Sequence, residues 1–166
     1  MVLREELEGA LEITRVELCS THADHAVGSF YDFEVLLCET GVSSLSTDFE
    51  DNYGGAVPVT VLGLDTLAID WRGSSPGWNG FDLEEPFSYG GMDNLIVEFR
   101  YLGDDGHTVN ARAADLPSAD RCLSGPHPSS PTGSPMSFLT CMRIHFEEQD
   151  LEPATFAGIK VLLGTP

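Results

Sequence analysis

Apolar and polar positions alternate with a period of two in short runs along this chain, and the runs are separated by stretches rich in Gly, Pro, Ser, Asn and Asp. That pattern predicts half-buried strands joined by turns. The sharpest run is 94–101, where Leu95, Val97, Phe99 and Tyr101 share one face while Ile96, Glu98 and Arg100 share the other. Residues 31–39 behave alike, with Phe33, Val35 and Leu37 opposite Asp32 and Glu34. In residues 11–19 the phase switches: Leu11 and Ile13 lie on one face, Val16 and Leu18 on the other. A bulge near Thr14 and Arg15 produces such a switch. Two short strands are predicted around 57–62 and 67–71, a third at 78–83, and a weak one at 109–114. The last clear strand is 138–146, with Phe138, Met142, Ile144 and Phe146 inward and Arg143 and His145 outward. Residues 41–55 read as a polar loop with room for one helical turn, Asp104-Asp105-Gly106 as a hairpin turn, and 117–135 as loop. Residues 156–163 fit a strand or a single helical turn.

No predicted helix is long enough to serve as a crossover between parallel strands. The expected fold is therefore all-β, an antiparallel two-sheet β-sandwich with long loops and little helix. With 166 residues the chain suits one core, and its 17 Gly and 10 Pro fit many short elements. Residues 10–148 are the expected sandwich domain. Residues 1–9 form an N-terminal extension, read as a candidate exchanged strand, and 149–166 a tail, read as a candidate extra strand or linker.

Charge narrows the function classes. Against 27 Asp and Glu stand 8 Lys and Arg, a formal net charge of −19. Nucleic-acid binding depends on neutralising phosphates with Lys and Arg, so it is not expected. Neither is membrane insertion, because no stretch reaches the ~20 apolar residues a span requires. The four cysteines, Cys19, Cys38, Cys122 and Cys141, fall as two pairs with equal gaps of 19. Four cysteines allow three pairings. Cys19–Cys38 and Cys122–Cys141 are favoured because each closes a short excursion, worth roughly 3 kcal/mol in the chain-entropy account. Disulfides imply an oxidising compartment. The start of the chain does not read as a signal peptide, so an exported protein would here be in mature or trimmed form.

Three stretches carry a resemblance. They are Tyr31-Asp-Phe-Glu-Val-Leu-Leu-Cys-Glu-Thr40 running into Leu45-Ser-Thr-Asp-Phe-Glu-Asp-Asn-Tyr-Gly-Gly55; Trp78-Asn-Gly-Phe-Asp-Leu-Glu-Glu-Pro-Phe-Ser-Tyr-Gly-Gly-Met-Asp-Asn-Leu-Ile-Val-Glu98; and residues 138–146. Over residues 31–146 the chain resembles a jelly-roll-like β-sandwich module of large exported bacterial surface and secreted proteins. The resemblance implies a scaffold at the cell surface or outside the cell, with no shared catalytic residues to carry over. In the middle stretch Pro86, which cannot donate to a ladder, suits a strand end, and Phe87 and Tyr89 are expected to pack beneath the strand at 95–101. The segment 152–160 is similar to short pieces near the ends of other exported bacterial proteins.

The chain holds no G-x-S-x-G elbow, no H-E-x-x-H and no P-loop, and no enzymatic activity is expected. Three other chemistries have candidate residues. Asp48, Glu50, Asp51 and Asn52, with Asp104 and Asp105, offer the hard oxygen ligands that Ca²⁺ selects. Trp71, Trp78 and Tyr53 are candidates for stacking on a sugar ring. Val2, Leu3 and Leu7 at one end, and Ile159, Val161 and Leu163 at the other, are candidates for strand addition to a sheet edge of another copy. The leading expectation is a non-enzymatic extracellular structural or adhesive subunit that assembles with copies of itself into fibres or a surface layer. The alternative is a carbohydrate-binding module of a secreted enzyme or adhesin.

Overall fold

The computed structural model describes residues 1–7, 9, 11–22, 25–107, 109–115 and 121–148. The expected tail strand and its assembly residues Ile159, Val161 and Leu163 lie outside these. Eleven strands are described, and every pairing between them is antiparallel. One sheet joins β1 (Leu11–Ser20), β4 (Gly77–Tyr89) and β11 (Met142–Glu148) in the order β11-β1-β4. A second joins β2 (Val27–Thr40), β3 (Val59–Asp70) and β5 (Asn94–Arg100) in the order β3-β2-β5, with β6 (Gly103–Asp104) also on β2. Two small ladders pair β7 (Ala113–Asp115) with β10 (Phe138–Thr140), and β8 (Leu123–Ser124) with β9 (Ser134–Pro135). Among the described residues no helix is long and apolar enough to cross a membrane.

Leu11, Ile13, Phe81 and Tyr89 from the first sheet share one core with Phe33, Val35, Leu37, Val61, Leu62 and Leu95 from the second. The bulge expected in β1 is there: its register shifts between Ile13 and Arg15 against both neighbours. The shift lets Leu11, Ile13 and Val16 all face inward although their spacing breaks alternation. Opposite Thr14, β4 loops out, since Phe87 pairs with Ile13 and Asp82 with Arg15. Pro86 sits in that unpaired stretch. Its lack of an N–H costs nothing there, so the strand continues past it where the sequence suggested an end. Tyr89 is buried in the same core as Leu95, as expected.

β3 is one strand of 12 residues, not two. Gly63 and Asp65 interrupt the apolar pattern because β3 is an edge strand with outward positions, and the ladder to β2 carries it across them. A bulge at Val61 turns both Val61 and Leu62 inward. Conversely, the predicted strand at 138–146 is divided at Cys141, with β10 leaving the β11 ladder to pair with β7. Phe138 and Phe146, expected inward, are 37% and 45% exposed. Both lie at a sheet margin where no further strand covers them among the described residues.

The loop after β2 folds back over the outer face of its sheet. A short helix, α1 (Phe49–Asn52), lies where the sequence allowed a turn. Beyond it Tyr53 packs on Cys38 and Ile96, with Leu45 at the margin. The Tyr53 hydroxyl donates to Glu98 Oε2 at 2.6 Å and accepts from Arg100 Nη2 at 2.9 Å. Burial, reinforced by the bond to Glu98, pushes the phenol well above its ordinary pKa.

Candidate interaction surface

The sequence-predicted sites disperse. All four cysteines are free thiols, which corrects the expectation of two disulfides. Cys19 lies on β1 and Cys38 on β2, in different sheets. Each also faces away from the shared core, since the neighbouring Leu18 and Leu37 point into it. Equal sequence gaps carried no information about that separation.

The oxygen-rich loops are occupied by their own backbone. Asp48 caps α1 by accepting from the Glu50 N–H at 3.0 Å, and Asn52 is buried. Asp104 accepts from the Gly106 N–H at 2.8 Å, and Asp105 accepts from the His107 N–H at 3.1 Å. That bond to His107 leads the contacts that hold the Asp105 carboxyl below its usual range. Among the described residues no three His, Cys, Asp or Glu side chains converge on one point. The proposed sugar-stacking aromatics are separated too. Tyr53 is 3% exposed, and Trp71 packs on Phe81 with ring centroids 6.0 Å apart. Trp78 lies under the Arg143 guanidinium, 4.0 Å from the ring centroid.

Two features of the β11-β1-β4 sheet come together instead. On its outer face, past the bulge, Arg15, Glu17 and Cys19 alternate with the inward Val16 and Leu18. Register places His145 and Asp82 beside Arg15, and Arg143 and Gly80 beside Glu17. Arg15 pairs with Glu17 at 3.2 Å and also with Asp82, while His145 Nε2 lies 2.8 Å from Glu17 Oε2. The result is a continuous polar lattice. The hydrogen bond from His145, assisted by Arg15 and opposed by desolvation, holds the Glu17 carboxyl below its ordinary value of 4.5.

A depressed carboxyl stabilises the folded state above its unfolded pKa, and that contribution disappears as pH falls through the lower folded value. Protonating the many other acids relieves repulsion over the same range, so the difference between two proteins isolates the effect. Glu17→Gln is expected to lower the melting temperature at neutral pH, with the gap to wild type closing below about pH 4.5. Thermal melts of both proteins across that range check it; a gap that is constant with pH counts against the lattice.

The second feature is a groove of about 550 Å³ beside β11. Met142, Ile144 and Phe146 form one wall, and Val2 and Leu7 line it too. The N-terminal residues are held by their own chain. Val2 exchanges two backbone hydrogen bonds with Leu95, at 2.8 and 3.0 Å, and Val2 and Leu7 pack on the core. Leu3 donates its N–H to Glu6 Oε2 at 2.9 Å, closing the turn that follows. At the rim Glu6 pairs with Arg121, whose guanidinium also reaches the Met1 carbonyl at 3.2 Å. The outward phase of Arg143 and His145 in the sequence points to the lattice. Arg121, in a proline-rich stretch without periodicity, carries no such signal.

Comparisons with protein-family models, with curated proteins and with solved structures return no match. The functional reading rests on this geometry.

Proposed function

We propose that the chain is a non-enzymatic extracellular structural subunit, its two larger sheets stacked as a jelly-roll-like sandwich, that joins copies of itself by strand addition. The observation that carries this reading is the state of β11. It ends its sheet, so one backbone edge is unpaired among the described residues, and it borders an apolar groove. Phe146 on the same strand is 45% exposed. Unpaired edge and apolar pocket together are what an incoming strand uses, the first for hydrogen bonds and the second for register. The incoming strand is the segment of a second copy that carries Ile159, Val161 and Leu163, whose alternation suits one apolar face. Because Val2 and Leu7 are engaged within their own chain, they belong to the receiving side.

A charge of −19 on every copy opposes this association. Assembly is expected to be weak at low ionic strength and to strengthen near 0.15 M salt, where the Debye length is about 8 Å, and further with Ca²⁺. Sedimentation velocity and electron microscopy of the full chain should show fibres or larger species under those conditions. Phe146→Asp, and a chain ending at Glu148, should both remain monomeric. A wild-type chain that stays monomeric in salt and in Ca²⁺ would sink the reading.

A further inference from the structure

We infer that Lys160 of a second copy docks on the paired carboxylates of Glu12 and Glu147 and so fixes the register of the strand added to β11, an inference that rests on the strand-addition reading above. Glu12 and Glu147 stand directly opposite each other in the β1–β11 ladder. Glu12 lies between Leu11 and Ile13, both buried in the core, so it points to the outer face of the sheet. A directly opposed residue shares that face, with the two Cβ atoms about 4.5–5.5 Å apart, and like charges so placed repel.

Nothing within the described residues offsets that repulsion. The cations of this face are engaged elsewhere: Arg15 with Glu17 and Asp82, His145 with Glu17, and Arg143 over the Trp78 ring. On the far side of Glu12 the β4 ladder brings up Ser88, which carries no charge. On the far side of Glu147 the sheet ends among the described residues. A neutralising charge therefore has one side from which to arrive, the open edge of β11.

The chain has one lysine, and it lies in the incoming segment between Ile159 and Val161. A strand that turns Ile159, Val161 and Leu163 toward the groove turns Lys160 to the opposite side. Run antiparallel with Lys160 opposite Glu147, it sets Val161 opposite Phe146 and Leu163 opposite Ile144, two residues that line the groove. A parallel strand with the same lysine contact would set Ala157 opposite Ile144 and lose much of that apolar area. Sliding the antiparallel strand two residues along puts Lys160 against His145, which already lies 2.8 Å from Glu17, and leaves the acid pair uncompensated. The flexible four-carbon stem of lysine lets its ammonium serve both carboxylates. Apolar contacts alone accept more than one register, and the charge selects among them.

The test assembles a mixture of isotopically light and heavy full chains in about 0.15 M salt. A carbodiimide then joins amines to adjacent carboxylates, and the digested peptides are read by mass spectrometry. The expected product is an amide between Lys160 of one isotope and Glu147 or Glu12 of the other. Lys160→Glu should raise the chain concentration required for assembly roughly fivefold, the upper value for one exposed ion pair. Glu147→Lys should do the same while melting at or above the wild-type temperature, because it removes the repulsion with Glu12; its failure to assemble is then not misfolding. Combining the two substitutions should restore assembly. Assembled chains whose Lys160 is joined only to other acids, or only within one isotope, overturn the inference and leave strand addition standing. A double variant that assembles no better than either single one does the same. Chains that do not assemble at all sink strand addition, and this contact with it.

Discussion

Replacing Gly80 with alanine is expected to destabilise the chain by about 1–3 kcal/mol, the range for forcing atoms into occupied space where backbone must shift. Gly80 lies opposite Glu17 in the β1–β4 ladder. A Cβ there would stand 2.6 Å from the Glu17 Cα, 2.7 Å from its Cγ, and against the Val16 carbonyl oxygen. Two of those three atoms are backbone or fixed by it, so no rotamer change relieves the clash. β1 is also the middle strand of its sheet, with Val16 fully buried, and a shift passes to β11 as well. Gly63→Ala is the control. A Cβ at Gly63, also within a strand, meets only Thr60 Cγ2 at 4.0 Å, and alanine there is expected to be neutral or slightly stabilising through the unfolded chain. Urea unfolding of both variants decides it. A Gly80→Ala midpoint within error of wild type would mean that the close approach of β1 and β4 is not a constraint.

Much of the fold was legible because period-two alternation reports directly on which face of a strand is buried. Phe33, Val35 and Leu37 on β2, and Leu95, Val97 and Phe99 on β5, face or border the core as the pattern predicts. The phase switch in β1 located its bulge to within a residue. The misreadings share one physical cause: strand length depends on a partner, and a partner is non-local. β3 continues through Gly63 and Asp65 because β2 is there to pair with it. β4 continues past Pro86 because β1 tolerates an unpaired stretch at its bulge. Apolarity alone points Phe138 and Phe146 inward, but a margin position is covered only if another element reaches it.

The site was less legible for a related reason. Residue type alone marks an aromatic or an acid as a candidate ligand, whereas its availability depends on what folds over it. Tyr53 beside two glycines reads as an exposed ring, yet it is the anchor of its loop. Glu17 and His145 stand 128 positions apart in sequence. Only the pairing of the first strand with the last brings them together, and no local signal encodes that pairing.

Asn52 supplies the second large effect, and it separates two readings of the acidic loop. Its side chain is 4% exposed and fully used: Nδ2 donates to the carbonyls of Ser46 at 3.0 Å and Asp48 at 2.8 Å, and Oδ1 accepts from the Ser46 N–H at 2.7 Å. The Asn52 carbonyl in turn accepts from Thr40 Oγ1 at 2.7 Å, fastening the loop to the end of β2. Asn52→Ala leaves these backbone groups without partners inside the loop and is expected to destabilise by about 2–4 kcal/mol, since each buried unpaired group costs roughly 1–3 kcal/mol and water recovers part of it. Asn52→Asp is the sharper variant. It keeps the shape but exchanges two donated hydrogen bonds for a carboxylate facing two carbonyl oxygens, so it should be at least as destabilising as alanine. If Asp48, Glu50, Asp51 and Asn52 instead formed a Ca²⁺ site, the same substitution would add an anionic ligand, and Ca²⁺ would restore or raise the melting temperature. The hydrogen bonds predict a loss of stability that Ca²⁺ does not reverse. Melting Asn52→Asp with and without Ca²⁺ distinguishes a structural clamp from a metal site in one experiment, and rescue by the metal would reassign the loop.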